Sequence, residues 1–186
     1  MSTILYAVGG VLAVGLILVV SPIAVDAYLK FRGRRVVTCP ETHAPAGVTV
    51  DARKAVVTAV LGGSNLRLKD CSRWPERESC GQECLAQIEA SPEECLVRTI
   101  VANWYTGKSC ALCGHKFGKL HWSDHKPALM TPDRRTIEWN DLASDKLEDV
   151  FATHQPVCWD CHITESVRQK FPDRIVYRDR PAPPRA

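Results

Sequence analysis

The sequence predicts an α+β protein: one apolar N-terminal helix followed by a small, cysteine-rich domain. Three observations predict it. The first 25 residues carry no charged side chain. Nine cysteines follow, four of them in two Cys-x-x-Cys pairs, at Cys110/Cys113 and Cys158/Cys161. Between them, short alternating segments are interleaved with capped helical patterns. With 186 residues, the chain has room for a membrane anchor plus one small domain. Hydrophobic residues make up 45 % of it, which excludes general disorder. Its 24 Lys and Arg against 21 Asp and Glu give a net +3, too mild to mark a nucleic-acid binder.

Residues 4–20 are an unbroken run of apolar residues and Gly, and residues 21–25 extend it to the roughly 20 that cross a bilayer. Val25-Asp26-Ala27 resembles a small-x-small cleavage site. However, the run exceeds a signal-peptide core, and Met1-Ser2-Thr3 contributes no Lys or Arg ahead of it. The positive residues Lys30, Arg32, Arg34 and Arg35 come after it. By the positive-inside rule, the N-terminus is expected outside and residues 30–186 in the cytoplasm, as a single-pass protein of the cell membrane. In that compartment thiols stay reduced. An odd count of nine also excludes a fully closed set of intramolecular disulfides. Clustered cysteines then read as metal ligands.

The expected organisation is a transmembrane anchor over 1–29, a cysteine-containing α+β segment over 30–107, a zinc-binding segment over 108–177 and a flexible tail over 178–186. Val36-Val37-Thr38 and residues 47–50 are expected to pair as a hairpin, and Asp51 to cap a helix over 52–61 ended by Gly62-Gly63. Leu66-Arg67-Leu68-Lys69 alternates like a strand, and a short helix is expected near residues 84–89. Ser91-Pro92-Glu93-Glu94 has the form of a capping box starting a helix that Gly107 ends. Two strands near 121–130 and 136–139, a helix over 145–153 and a last helix from Cys158 to about Phe171 complete the reading.

Cys110-x-x-Cys113-Gly114 and Cys158-x-x-Cys161 are separated by 44 residues. Two residues between cysteines let both sulfurs turn toward one ion, and Gly114 relieves the backbone after the second ligand. Two such pairs make a tetrahedral four-thiolate site that suits zinc, with iron as the alternative. The order of knuckle, hairpin and helix-start pair over about residues 108–171 resembles a treble-clef zinc finger. That resemblance implies a structural metal and a role in binding partners.

Cys158-Trp159-Asp160-Cys161-His162 also matches the haem c attachment motif, with His162 as axial ligand and Met130 or His154 as the second. The segment is partly similar to the HNH endonuclease finger. There Asp124 and His162 would hold a divalent ion and His125 would act as general base, with Asn140 matching the family's Asn. The Gly-rich turn of that family is replaced here by Thr131-Pro132-Asp133-Arg134-Arg135, so no catalytic residue is assigned.

Of the remaining cysteines, Cys80 and Cys84 have a Cys-x3-Cys spacing. With Cys39 and Cys71 they form a candidate second metal site, with His43 as a substitute ligand. Cys95 reads as a core thiol. Trp74, Trp104, Trp122, Trp139 and Trp159 are expected to pack small cores, and Lys116, Lys119 and Lys126 to form a solvated face. The expected function is a non-enzymatic binding or accessory subunit that docks on a membrane protein complex. An electron carrier is the competing class, and a nuclease the third.

Overall fold

A computed structural model describes residues 2–63, 65–74, 76, 79–120, 122 and 126–171. The chain is mixed helix and sheet and divides into two compact units. The first comprises residues 1–103 and 143–148; the second comprises residues 104–142 and 149–186.

The first unit begins with helix α1 (Ser2–Phe31). Its Val8–Phe31 stretch has a mean hydropathy of 2.5 and is exposed over most of its length, Ala27 being the buried exception. At 1.5 Å per residue these 24 residues extend about 36 Å, long and apolar enough to cross a membrane. The helix ends where Gly33 takes a left-handed φ of 99°. A Cβ there would also come within 3.1 Å of the Leu96 side chain, so glycine is required twice over.

Arg35 completes this terminus. Sequence reasoning counts it with the flanking positive charges, but it is fully buried while Lys30, Arg32 and Arg34 are exposed. Its guanidinium donates to the carbonyls of Phe31 at 2.8 Å, Arg32 at 3.2 Å and Gly33 at 3.3 Å, and to that of Lys30. Lys30 and Phe31 give the last carbonyls of α1, which have no partner inside the helix, and Arg32 and Gly33 follow in the turn. One forked cation therefore closes the helix and meets the partial negative charge of its end.

Strands β1 (Arg34–Thr38), β2 (Pro45–Val50) and β3 (Leu68–Cys71) form an antiparallel sheet in the order β1-β2-β3. Val36 pairs with Gly47 and Val48 with Cys71. Between β2 and β3 lies α2 (Ala52–Val60), capped as expected by the Asp51 carboxylate, which accepts from the Lys54 N–H at 3.1 Å. Helix α3 (Leu85–Ala90) covers the sheet. Val37, Val48, Val50, Ala55, Leu68 and Ile88 form the core between them.

The capping-box reading of residues 91–94 is corrected. Helix α4 runs from Val97 to Tyr105, and residues 92–95 form a turn. The reason lies in the backbone: the Cys95 carbonyl accepts from the Val36 N–H at 2.8 Å, and Leu96 bridges Arg35 as an extended residue. Edge pairing with β1 uses the groups a helix would need. Residues 143–148 return to this unit. Ser144 packs so closely on Gly47 that a Cβ on the glycine would stand 3.0 Å away.

The second unit holds β4 (Ala128–Met130), β5 (Thr136–Glu138) and β6 (Gln155–Val157) in an antiparallel sheet ordered β5-β4-β6. Helix α5 (Leu147–Thr153) precedes β6, and α6 (Trp159–Lys170) follows it. Of the strand expected near 121–130, β4 covers Ala128–Met130, residues 121 and 123–125 lying outside the described residues, and β6 is an addition.

Arg35→Met should lower the stability of the first unit by about 3 kcal/mol, since several buried carbonyls lose their donor. Arg35→Lys should recover only part of that, because an ammonium lacks the fork. Urea denaturation of the full chain in detergent checks both.

Candidate metal centre

The site grows from a tight turn. Cys110 N–H donates to the His115 carbonyl at 2.8 Å, and Gly114 N–H returns to the Cys110 carbonyl at 2.9 Å. Ser109 and Lys116 bridge across its base. Gly114 sits at φ 74°, the left-handed conformation the sequence predicts for it. The turn is fastened to the sheet by the Ala111 N–H, which donates to the Pro156 carbonyl in β6 at 2.9 Å.

The second pair stands one residue beyond β6. Cys158 is the N-terminal cap of α6, and Cys161 lies in its first turn. The Cys158 N–H donates to Cys110 Sγ at 3.3 Å, and Cys113 Sγ lies 3.7 Å from Cys158 Sγ. All four sulfurs lie within 4.8 Å of one another. A tetrahedron with metal–sulfur bonds of about 2.3 Å has edges of about 3.8 Å, so the donor set fits a single thiophilic ion. Among the described residues, this is the one group of three or more His, Cys, Asp or Glu whose ligand atoms all meet that spacing.

The electrostatics show what the sulfurs lack. Burial alone would raise the Cys110 thiol, but the N–H groups of Cys158, Cys113 and Leu112 converge on it and bring it down to about 7. Cys158 and Cys161 go the other way. Burial pushes both above the usual thiol value, and at Cys161 the neighbouring sulfurs push further. Cys110 is favoured as thiolate while Cys158 and Cys161 resist ionisation, a conflict that a cation in the shared space would relieve.

An aromatic clamp supports the site, and sequence reasoning did not single it out. Tyr105 is fully buried; its hydroxyl donates to the Ala128 carbonyl in β4 and accepts from Trp139 Nε1 at 3.3 Å. Trp104 stacks on Phe151 with centroids 5.1 Å apart, and Phe117 meets Tyr105 edge-on at 4.7 Å. Phe117 also packs against the buried cluster of Cys110, Ala128 and Val157. Trp104 and Trp139 pack in a core, as expected of them; Tyr105 and Phe117 are additions.

The other candidates are distributed as follows. His162 is buried, with Nε2 3.9 Å from Glu138 and Nδ1 3.5 Å from Ser166 Oγ. Met130 packs into the core around Cys110, and His154 Nδ1 lies 2.8 Å from Thr153 Oγ1. Asn140 is exposed in a 3-10 turn, while Asp124 and His125 lie outside the described residues. Lys116, Lys119 and Lys126 are exposed as expected; Lys119 and Lys126 border a cleft of about 590 Å³ beside Cys113 and Cys161. Cys39, Cys71, Cys80 and Cys84 line one cavity of the first unit, which His43 does not line. Cys95 is half-buried against the core, as read from the sequence.

Comparison with protein-family profiles, with curated proteins and with solved structures finds no match.

Gly114→Ala should weaken metal retention by about 1–2 kcal/mol, the left-handed penalty of a Cβ, since the space around it is open. Gly118→Ala, equally open but without a left-handed φ, should be neutral within about 0.5 kcal/mol. Competition with a chelator, followed as metal release, reads the difference.

Proposed function

We propose that the chain is a single-pass, membrane-anchored zinc protein whose domain lies in the cytoplasm and serves as a non-enzymatic binding or accessory subunit of a membrane complex. The observation that carries this reading is the convergence of Cys110, Cys113, Cys158 and Cys161 in one chain with a span-length apolar helix.

Four protein thiolates complete a tetrahedral shell and leave no open position for water or substrate, which favours a structural ion over a catalytic one. The ligands share the interior of the unit that holds them. Cys110 is buried with Ala128 and Val157, and Cys158 and Cys161 pack against them, while Tyr105, Leu129, Trp139 and Val150 are buried as well. The ligands are therefore part of the core, and an ion that binds only the folded arrangement contributes folding energy directly. The knuckle, the β4–β5 hairpin and the helix-start pair follow one another in the order of a treble clef, which supports that resemblance.

The same convergence weighs against haem c. Thioether attachment would direct Cys158 and Cys161 to a porphyrin, whereas their sulfurs share a 4.8 Å space with Cys110 and Cys113. Orientation rests on Lys30, Arg32 and Arg34, exposed just beyond the span. Zinc is preferred to iron for a single four-thiolate site on grounds of availability, and colour separates the two.

Cys110→Ser or Cys161→Ser in the full chain should each release one metal equivalent and unfold the second unit. Structural zinc contributes about 10 kcal/mol or more, as much as a small domain's whole stability. Elemental analysis and circular dichroism check this; unchanged metal and melting would refute the four-thiolate site. Native protein should be colourless, and a Soret band would replace zinc with haem. A reporter fused after Ala186 should be active in the cytoplasm. Activity on the outer side would reverse the orientation and return the cysteines to disulfide chemistry.

A further inference from the structure

We propose that Cys39, Cys71, Cys80 and Cys84 form a second four-thiolate metal site, in the first unit, that takes zinc or another thiophilic divalent ion. The proposal rests on the same reading of a reducing compartment as the first site.

Three separate segments bring these residues to one cavity. Cys39 follows β1 in a turn closed by two bonds: its N–H donates to the Ala44 carbonyl at 2.9 Å, and the His43 N–H donates to the Cys39 carbonyl at 2.8 Å. The turn's own N–H groups serve the sulfur: the Thr42 hydroxyl and the backbones of Thr42 and Glu41 bond to it. Cys71 ends β3, fixed by its register with Val48. Cys80 and Cys84 lie on the loop that enters α3.

That loop is stitched to the sheet by two glutamines. The Gln82 side-chain carbonyl accepts from the Leu68 N–H at 2.9 Å. Gln82 holds a left-handed φ of 57° while doing so. On the far side of Cys84, Gln87 makes a double bond pattern with Thr38, accepting from its N–H at 3.0 Å and donating to its carbonyl at 2.6 Å. One glutamine grips β3 at Leu68, the opposite end of the strand from Cys71, and the other grips β1 at Thr38, next to Cys39. The loop between them has little choice but to place its cysteines over those two.

The cavity they ring has a volume of about 40 Å³. A water needs about 10–15 Å³ on this measure, so there is room for an ion but not for an organic cofactor. Its walls are Leu68, Ala46 and Pro40, with Trp74 and Arg73 beside them. The buried Trp74 Nε1 and Arg73 Nε have no hydrogen-bond partner among the described residues. A zinc ion with four thiolates is formally dianionic and accepts N–H donors at its sulfurs, which is what these two atoms lack. Cys71 and Cys84 are the buried members. The sulfurs stand around the cavity without all meeting the 4.8 Å spacing of the first site, and a cation is what would draw them in.

The test uses the full chain in detergent, purified under reducing conditions. Wild-type protein should carry two zinc equivalents. Cys71→Ser/Cys80→Ser should carry one, and Cys110→Ser/Cys113→Ser should also carry one. A wild-type equivalent of one, lost wholly with Cys110→Ser/Cys113→Ser, would overturn the second site and leave the first intact. No metal in the wild type would overturn both. Should a variant fail to fold, cobalt(II) titration of metal-free wild type decides. Sulfur-to-cobalt absorbance rising to two equivalents supports the proposal, and a break at one contradicts it. Disulfide-linked Cys39, Cys71, Cys80 or Cys84 in peptide mass spectra would also contradict it.

Discussion

Four sulfurs within 4.8 Å of one another cannot all carry charge unless something positive lies between them. The second unit is organised around that constraint. The turn at Cys110 and the Cys158 N–H together spend three backbone N–H groups on one sulfur, and the Cys158 and Cys161 thiols are driven toward their neutral form. Helix α6 opens on the second pair, where the partial positive charge of its N-terminus also favours thiolate. A bound ion would resolve that conflict, and one held only by the folded arrangement would add cohesion to the burial of Tyr105, Ala128, Leu129 and Val157.

The first unit solves a different problem. A helix emerging from a long apolar stretch must end, and its last carbonyls need donors. Gly33 turns the chain, and Arg35 folds back over the carbonyls it has just left. Because Arg35 is also a β1 residue bridged to Leu96, the end of α1, the sheet and the turn before α4 are fixed by one buried side chain. The apolar helix is thereby joined to folded structure through a rigid corner.

Local chemistry made much of this legible. The Asp51 cap, the β1–β2 hairpin, the knuckle with Gly114 and the helix beginning after Cys158 are all carried by residues whose preferences act within a few positions. Errors arose where distant partners decided. Ser91-Pro92-Glu93-Glu94 has every local mark of a helix start, yet Cys95 and Leu96 are claimed by the edge of β1. Gln155-Pro156-Val157 has no alternation and contains proline, so β6 is visible only through its pairing with β4. Arg35 looks like any juxtamembrane cation, because burial cannot be read from charge. The four cysteines of the first site were legible through their paired spacing. The glutamines that position the other cluster were not, since an amide bridging two strands leaves no periodic trace.

The central claim is that Cys110, Cys113, Cys158 and Cys161 bind one metal ion. X-ray absorption at the metal edge, recorded on the full chain in its native reduced state, addresses it most directly. The account predicts a zinc edge with a shell of four sulfurs near 2.3 Å and no nitrogen or oxygen ligand. A nitrogen-rich shell, an iron–porphyrin signature or the absence of bound metal would contradict it.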